Sequence, residues 1–240
     1  MGGYEAVSGV LYGLGVGPGD PELVTLKAVR LARAAPVLAY AAPETGDSMA
    51  RAIMAPHLAS GQIEIVIRMP LAVDRFPSGE VFDRAAHDIA QHLDAGRDVA
   101  ALCLGDPFLY GSFMYLFARL AGRFQTLIVP GVSSIAAASA SLGMALAARN
   151  DAFAVVPAPL EDAAIERLLA ASDGAALVKL GRHFARMRDL LRRIGLAGKA
   201  RYIERASQAG QRIVRLDDVD PASVPYFSLI VVHRRGEAWR

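Results

Sequence analysis

The chain reads as an α/β protein of two domains, and three observations predict this. Short apolar runs alternate with amphipathic helical stretches through the first half, as in a mostly parallel sheet covered on both faces. Three strand-like runs then follow one another near the end without helices between them, as in hairpins of a mixed sheet. At 240 residues, 53% hydrophobic and 21% charged, the chain is globular and long enough for one large or two modest domains, so length allows this division.

The strand-like runs of the first half are 10–16, 36–40, 63–69, 99–104 and 126–129, and the helical stretches are 22–34, 48–57, 80–95 and 112–121. Gly96 falls where a C-terminal glycine cap would end the third helix. A small-residue helix over 135–142 then opens a change of rhythm. Strand 153–156, helix 161–171, strand 175–180 and helix 184–194 follow, and the three consecutive runs are 200–204, 212–216 and 227–232. The expected division is 1–130 for the first domain, 131–150 for a linker helix and 151–240 for the second domain, with a cleft between the two.

Composition excludes several classes of function. Net charge is +2 and the basic residues are scattered, so no nucleic-acid footprint is expected. No apolar run approaches the ~20 residues that span a bilayer, and the first nine residues lack signal-peptide order, so a cytoplasmic protein without a membrane partner is expected. Cys103 is the single cysteine and the five histidines lack ligand spacing, so no metal is expected.

Three glycine-bearing turns close strands. The first is Gly13-Leu14-Gly15-Val16-Gly17-Pro18-Gly19-Asp20-Pro21-Glu22. No G-x-G-x-x-G can be completed from Gly13 or Gly15, because Pro18 or Asp20 stands where the third glycine would lie, and no Gly-Lys-Ser/Thr follows. Phosphate cradling is therefore not expected. Asp20-Pro21-Glu22 also has the chemistry of a helix start, with Asp20 as the cap. A cap alone needs none of the glycines before it, which suit close approach of another group. The other two turns are Leu104-Gly105-Asp106-Pro107-Phe108-Leu109-Tyr110-Gly111-Ser112 and Val129-Pro130-Gly131-Val132-Ser133-Ser134. Placed at carboxyl ends of strands, all three should line one crevice. Strand two carries no acid at its expected end, Tyr40-Ala41-Ala42-Pro43, where a Rossmann-type methyltransferase would place a ribose-binding carboxylate.

Together these segments resemble the tetrapyrrole methyltransferases, the S-adenosylmethionine-dependent family of corrin and siroheme synthesis. Tyr12 through Ala28 looks like the family's opening motif, and Gly105-Asp106-Pro107 with Tyr110-Gly111-Ser112 looks like its cofactor loop. Arg201 through Ser207, then Gln211, and Pro225-Tyr226-Phe227-Ser228-Leu229 look like the branch that methylates C20 of precorrin-2. The resemblance implies the two-domain class III methyltransferase fold, a homodimer and a tetrapyrrole substrate. It implies S-adenosylmethionine, leaving as S-adenosylhomocysteine, held by Leu104, Gly105, Asp106, Tyr110, Gly111, Ser133, Ser134, Leu180, Ala206 and Leu229. Gly17, Pro18 and Gly19 would face the macrocycle, with Asp20 as the group that takes the C20 proton. Ala41, Ala42 and Leu104 depart from the pattern of the uroporphyrinogen-III enzymes, whose residues at those positions are polar, polar and glycine. The other occupants of this fold act on a protein or on ribosomal RNA, and a non-catalytic tetrapyrrole carrier is the alternative of a different class.

Overall fold

A computed structural model describes residues 8–69, 79–236 and 238. The chain divides into two compact units, residues 1–133 and 134–240.

The first unit is built on a parallel five-stranded sheet, β1 (Leu11–Gly15), β2 (Val37–Pro43), β3 (Ile63–Met69), β4 (Val99–Cys103) and β5 (Thr126–Val129), in the order β3-β2-β4-β1-β5. β4 lies inside the sheet and is buried along its whole length, which is why its sequence is apolar on both faces. The helices are α1 (Leu26–Ala34), α2 (Met49–Met54), α3 (Gly79–Asp94) and α4 (Phe113–Leu120). From β1 the chain steps towards β2 and β3, whereas from β3 it steps back to β4, and from β4 across to β5. Right-handed crossovers in opposite directions must place their helices on opposite faces. One face accordingly packs Leu14, Leu38, Ala100 and Leu102 under Ala28, Ala32, Ile53 and Met54, and the other packs Val37, Ala39, Val99 and Ala101 under Phe82, Ile89, Phe113 and Leu116. The direction changes between β1 and β4, the point of an open α/β sheet where turns gather beyond the carboxyl ends.

β2 runs three residues further than the apolar run suggested, because Ala41, Ala42 and Pro43 pair with Ile67, Arg68 and Met69. Tyr40 is therefore not the end of the strand, and the exposed Glu44 directly follows it. The missing acid at strand two thus carries less weight than the sequence implied.

The second unit holds a mixed sheet of β6 (Phe153–Pro157), β7 (Gly174–Val178), β8 (Ala200–Glu204), β9 (Arg212–Val214) and β10 (Ser228–His233), in the order β6-β7-β10-β8-β9. Only β6 and β7 are parallel, joined by α6 (Asp162–Ala171); the three late strands pair antiparallel, as expected for runs without helices between them. α6 and α7 (Phe184–Arg193) cover one face. The other face is covered by α5 (Ser134–Leu142), whose Ala137 and Ala138 pack against Ile203, Ala206, Leu229 and Val231. The small-residue helix expected to link the units is thus part of the second core.

Candidate functional site

In the first unit the three glycine-bearing turns meet at the switch point. Gly17 and Gly105 form an isolated antiparallel bridge, the Gly105 N–H donating to Gly17 O at 2.8 Å and the Gly17 N–H to Gly105 O at 3.3 Å. Gly17 has φ 78° and Gly105 φ 69°, which a side chain would strain. A Cβ on Gly15 would lie 2.4 Å from Gly131 N, and one on Gly131 would lie 2.0 Å from Gly105 O. A Cβ on Gly13 would strike the Phe113 ring at 2.3 Å. These glycines admit neighbouring turns and a core ring, rather than clearing room in front of Asp20.

Asp20 does cap, but not the helix the sequence suggested. Its Oδ1 accepts the Glu22 N–H at 2.8 Å and so caps the single 3₁₀ turn Pro21–Leu23. α1 begins later and has its own cap, Thr25 Oγ1 accepting the Ala28 N–H at 3.2 Å. Gly17 and Pro18 are buried, while Gly19 and Asp20 are half-buried.

Asp106 shapes the second turn. Its Oδ1 accepts from the N–H groups of Phe108 at 2.9 Å and Leu109 at 3.0 Å, and its Oδ2 accepts the Gly131 N–H at 3.1 Å. Leu104 and Gly105 before it are half-buried. Phe108, Leu109 and Tyr110 are exposed, with Phe108 edge-on to Phe117 at 5.2 Å. A Cβ on Gly111 would lie 2.4 Å from the carbonyl oxygens of both Asp106 and Pro107, so the close approach that requires glycine there is to its own turn. Ser133 is half-buried and Ser134 opens α5. A cavity of about 10 Å³ between Tyr40, Cys103 and Ser112 has room for a water at most.

In the second unit Leu180, Ala206 and Leu229 are core residues. Leu180 packs with Phe184 and Tyr202, and Ala206 and Leu229 pack beneath α5. What they can offer a ligand is backbone. Ala206 lies between Arg205 at φ 49° and Ser207 at φ 63°, and Leu180 follows Lys179 at φ 58°. Tyr110 in the first unit has φ 57°. Left-handed non-glycine residues cost about 1–3 kcal/mol each and gather where a ligand requires a particular backbone shape. Among the described residues the fifth, Arg149, alone lies away from the expected cofactor positions. This strain leaves no mark in sequence, because each residue type is unremarkable there.

Two polar clusters also escaped the sequence reading. Glu204, buried at the end of β8, accepts from Tyr202 Oη at 2.9 Å and from Arg212 Nη1 at 3.3 Å. Burial, and then the bond to Glu204, push the Tyr202 phenol far above its ordinary value. In the first unit Tyr40 Oη donates to Glu64, which also pairs with Arg51 at 3.1 Å. Arg51 foremost, and then Tyr40, hold the Glu64 carboxyl below its ordinary range. Among the described residues no group of three acidic, histidine or cysteine side chains could hold a metal ion, and no helix is long and apolar enough to cross a membrane.

Close-packed glycine turns beyond the carboxyl ends of one parallel sheet, and left-handed turns beside a second, mixed sheet, define a two-unit α/β protein. The family profile of Tetrapyrrole (Corrin/Porphyrin) Methylases matches residues 10–220, and the chain belongs to that family. A cobalamin biosynthesis protein CobIJ of Mycobacterium tuberculosis (strain ATCC 25618 / H37Rv) is 46% identical over 232 residues, covering 93% of this chain and 46% of that protein. The chain thus spans about half the length of the mycobacterial relatives it matches. A precorrin-2 C(20)-methyltransferase of a Sinorhizobium species is 34% identical, covering 93% of this chain and 95% of that protein. The cobalt-precorrin-2 C(20)-methyltransferase of Salmonella typhimurium is 32% identical, covering 96% and 99%. Among solved structures, uroporphyrin-III C-methyltransferase from Thermus thermophilus, complexed with S-adenosylhomocysteine, has a TM-score of 0.68 at 26% identity, covering 94% of this chain and 97% of that one. The cobalt precorrin-4 methyltransferase CbiF shares the fold, with a TM-score of 0.72 at 20% identity and coverage of 95% and 96%.

Proposed function

We propose that this protein transfers a methyl group from S-adenosylmethionine to C20 of precorrin-2, giving precorrin-3A in corrin ring synthesis. The observation that carries the reading is the similarity, over nearly the full length of both chains, to a precorrin-2 C(20)-methyltransferase. Metal-free precorrin-2 is the preferred substrate. The cobalt-containing macrocycle is the second reading, favoured by the Salmonella relative.

S-adenosylmethionine supplies an already activated methyl group, so the protein's task is to align two partners and exclude water. Leu104, Gly105, Asp106, Tyr110, Gly111, Ser133 and Ser134 are the residues of the first unit proposed to hold it, and Leu180, Ala206 and Leu229 those of the second. The structural features that support this are turns whose shape is held by backbone contacts and by the Asp106 carboxylate, together with the left-handed residues beside them. Gly17, Pro18 and Gly19 are proposed to face the macrocycle, and Asp20 to accept the proton that C20 loses. Arginine side chains would pair with the macrocycle's carboxylates. The test is incubation with each macrocycle and S-adenosylmethionine carrying a labelled methyl group, followed by mass spectrometry. One added methyl at C20 of precorrin-2 supports the reading; transfer only to the cobalt form shifts it to the second, and transfer to neither overturns both.

A further inference from the structure

We infer that Gln211 is a positioning residue that clasps the Ala206 turn to α5 and so keeps the backbone of that turn in its ligand-ready shape. Gln211 Oε1 accepts two hydrogen bonds, one from Ser141 Oγ near the end of α5 at 2.9 Å and one from the Ser207 N–H at 2.7 Å. Both lone pairs of that oxygen are thereby used. The same turn is fixed from its other side by the Arg205 N–H, which donates to Phe227 O at 2.7 Å. Within the turn, the Gln208 N–H donates to Arg205 O at 2.9 Å and the Gln211 N–H to Gln208 O at 3.1 Å. Arg205 and Ser207 are both left-handed without being glycine, a state that persists only where the surroundings over-determine it. Gln211 is itself exposed, so water could satisfy its amide and burial does not force these two bonds. What they do is hold Ser207 to the helix that covers Ala206.

The inference rests on the reading that S-adenosylmethionine is the methyl donor and that Ala206 offers it backbone groups. It is tested by calorimetric titration of S-adenosylhomocysteine into the wild type, Gln211→Ala, Gln211→Glu and Ser141→Ala, with a thermal melt of each. Gln211→Ala loses both hydrogen bonds and should weaken binding about three- to tenfold, the worth of one or two hydrogen bonds. Gln211→Glu keeps an oxygen in place for both donors and should bind within about twofold of wild type on the same reasoning. A role in folding alone predicts a lower melting temperature with undiminished affinity. Wild-type affinity in Gln211→Ala, or a Gln211→Glu variant as weak as Gln211→Ala, overturns the clasp. Should Gln211→Ala not fold, Ser141→Ala decides, since it detaches the glutamine from α5; an unchanged affinity there overturns the inference. If the wild type itself binds no S-adenosylhomocysteine, the donor reading fails and the clasp with it. If the wild type binds and Gln211→Ala binds equally, only the clasp fails.

Discussion

Asp106 Oδ2 accepts the backbone N–H of Gly131 at 3.1 Å, and this bond ties the turn after β4 to the turn after β5. The other oxygen of the same carboxylate holds the N–H groups of Phe108 and Leu109, so one side chain sets the shape of its own turn and its distance from the next. Asp106→Ala should cost about 2–3 kcal/mol, since bonds to a charged acceptor are worth more than neutral ones. Asp106→Asn keeps an oxygen for only part of the set and should fall between. Chemical denaturation measures this, and an alanine variant with the wild-type midpoint would show that the carboxylate does not support the turns.

Close packing of the turns makes a second expectation quantitative. Gly131→Ala would place a Cβ 2.0 Å from Gly105 O and 2.8 Å from the Gly15 Cα, where both obstacles are backbone and neither can swing aside. The expected loss is about 3 kcal/mol or more, at the upper end of overpacking. Gly122→Ala is the control, because nothing lies within 4 Å of its added Cβ, and it should stay within about 0.5 kcal/mol of wild type. Equal melting temperatures for the two variants would refute the packing argument.

The contrast between those glycines shows what the sequence could and could not disclose. β3, β5 and β8 run over the residues their apolar patterns marked, because hydrophobic period and β-branched content are local. The turns also lie where the Gly-Pro and Gly-Asp-Pro punctuation put them. The partner each glycine accommodates is set by tertiary contact: Gly13 meets a ring a hundred positions away, and Gly15 meets the turn after β5. The sequence Asp20-Pro21-Glu22 has the chemistry of a cap for α1, yet Thr25 caps that helix, since a Pro-bearing 3₁₀ turn intervenes between them. The left-handed backbone at Lys179, Arg205 and Ser207 gave no sign at all in residues that ordinarily avoid it.

A third expectation concerns acid. Arg235 beside Asp151, and then the Ala148 N–H, hold the Asp151 carboxyl at about 2. His233, fully buried, faces the same carboxylate at 3.2 Å through Nε2, while its Nδ1 accepts the Arg235 N–H at 3.3 Å. In the unfolded chain an aspartate titrates at about 3.9. A carboxyl whose pKa is depressed by folding adds stability that is fully present above its unfolded pKa and is lost as the pH falls through the folded one. Melting temperatures should therefore fall between about pH 4 and 2, and the Asp151 share of that fall should vanish in Asp151→Asn. A variant whose melting temperature declines as steeply as wild type over this window would remove Asp151 from the account.

Asp20→Asn separates capping from catalysis. Asparagine caps about as well as aspartate, and its Oδ1 can accept the Glu22 N–H as the carboxylate does. An amide cannot take up a proton as a carboxylate base does. If Asp20 only caps its 3₁₀ turn, the variant should melt and turn over like wild type. If Asp20 accepts the C20 proton, melting should be unchanged while turnover drops on the order of 10²–10⁴, the usual contribution of a positioned base. Gly13, Gly15 and Gly17 no longer argue for the second outcome, because neighbouring turns and Phe113 account for them. What favours it is the half-buried position of Asp20 just beyond the carboxyl end of β1, beside the point where the sheet changes direction. Full methylation by Asp20→Asn, measured as labelled methyl incorporated per minute, would assign the proton instead to water or to the substrate's own carboxylates.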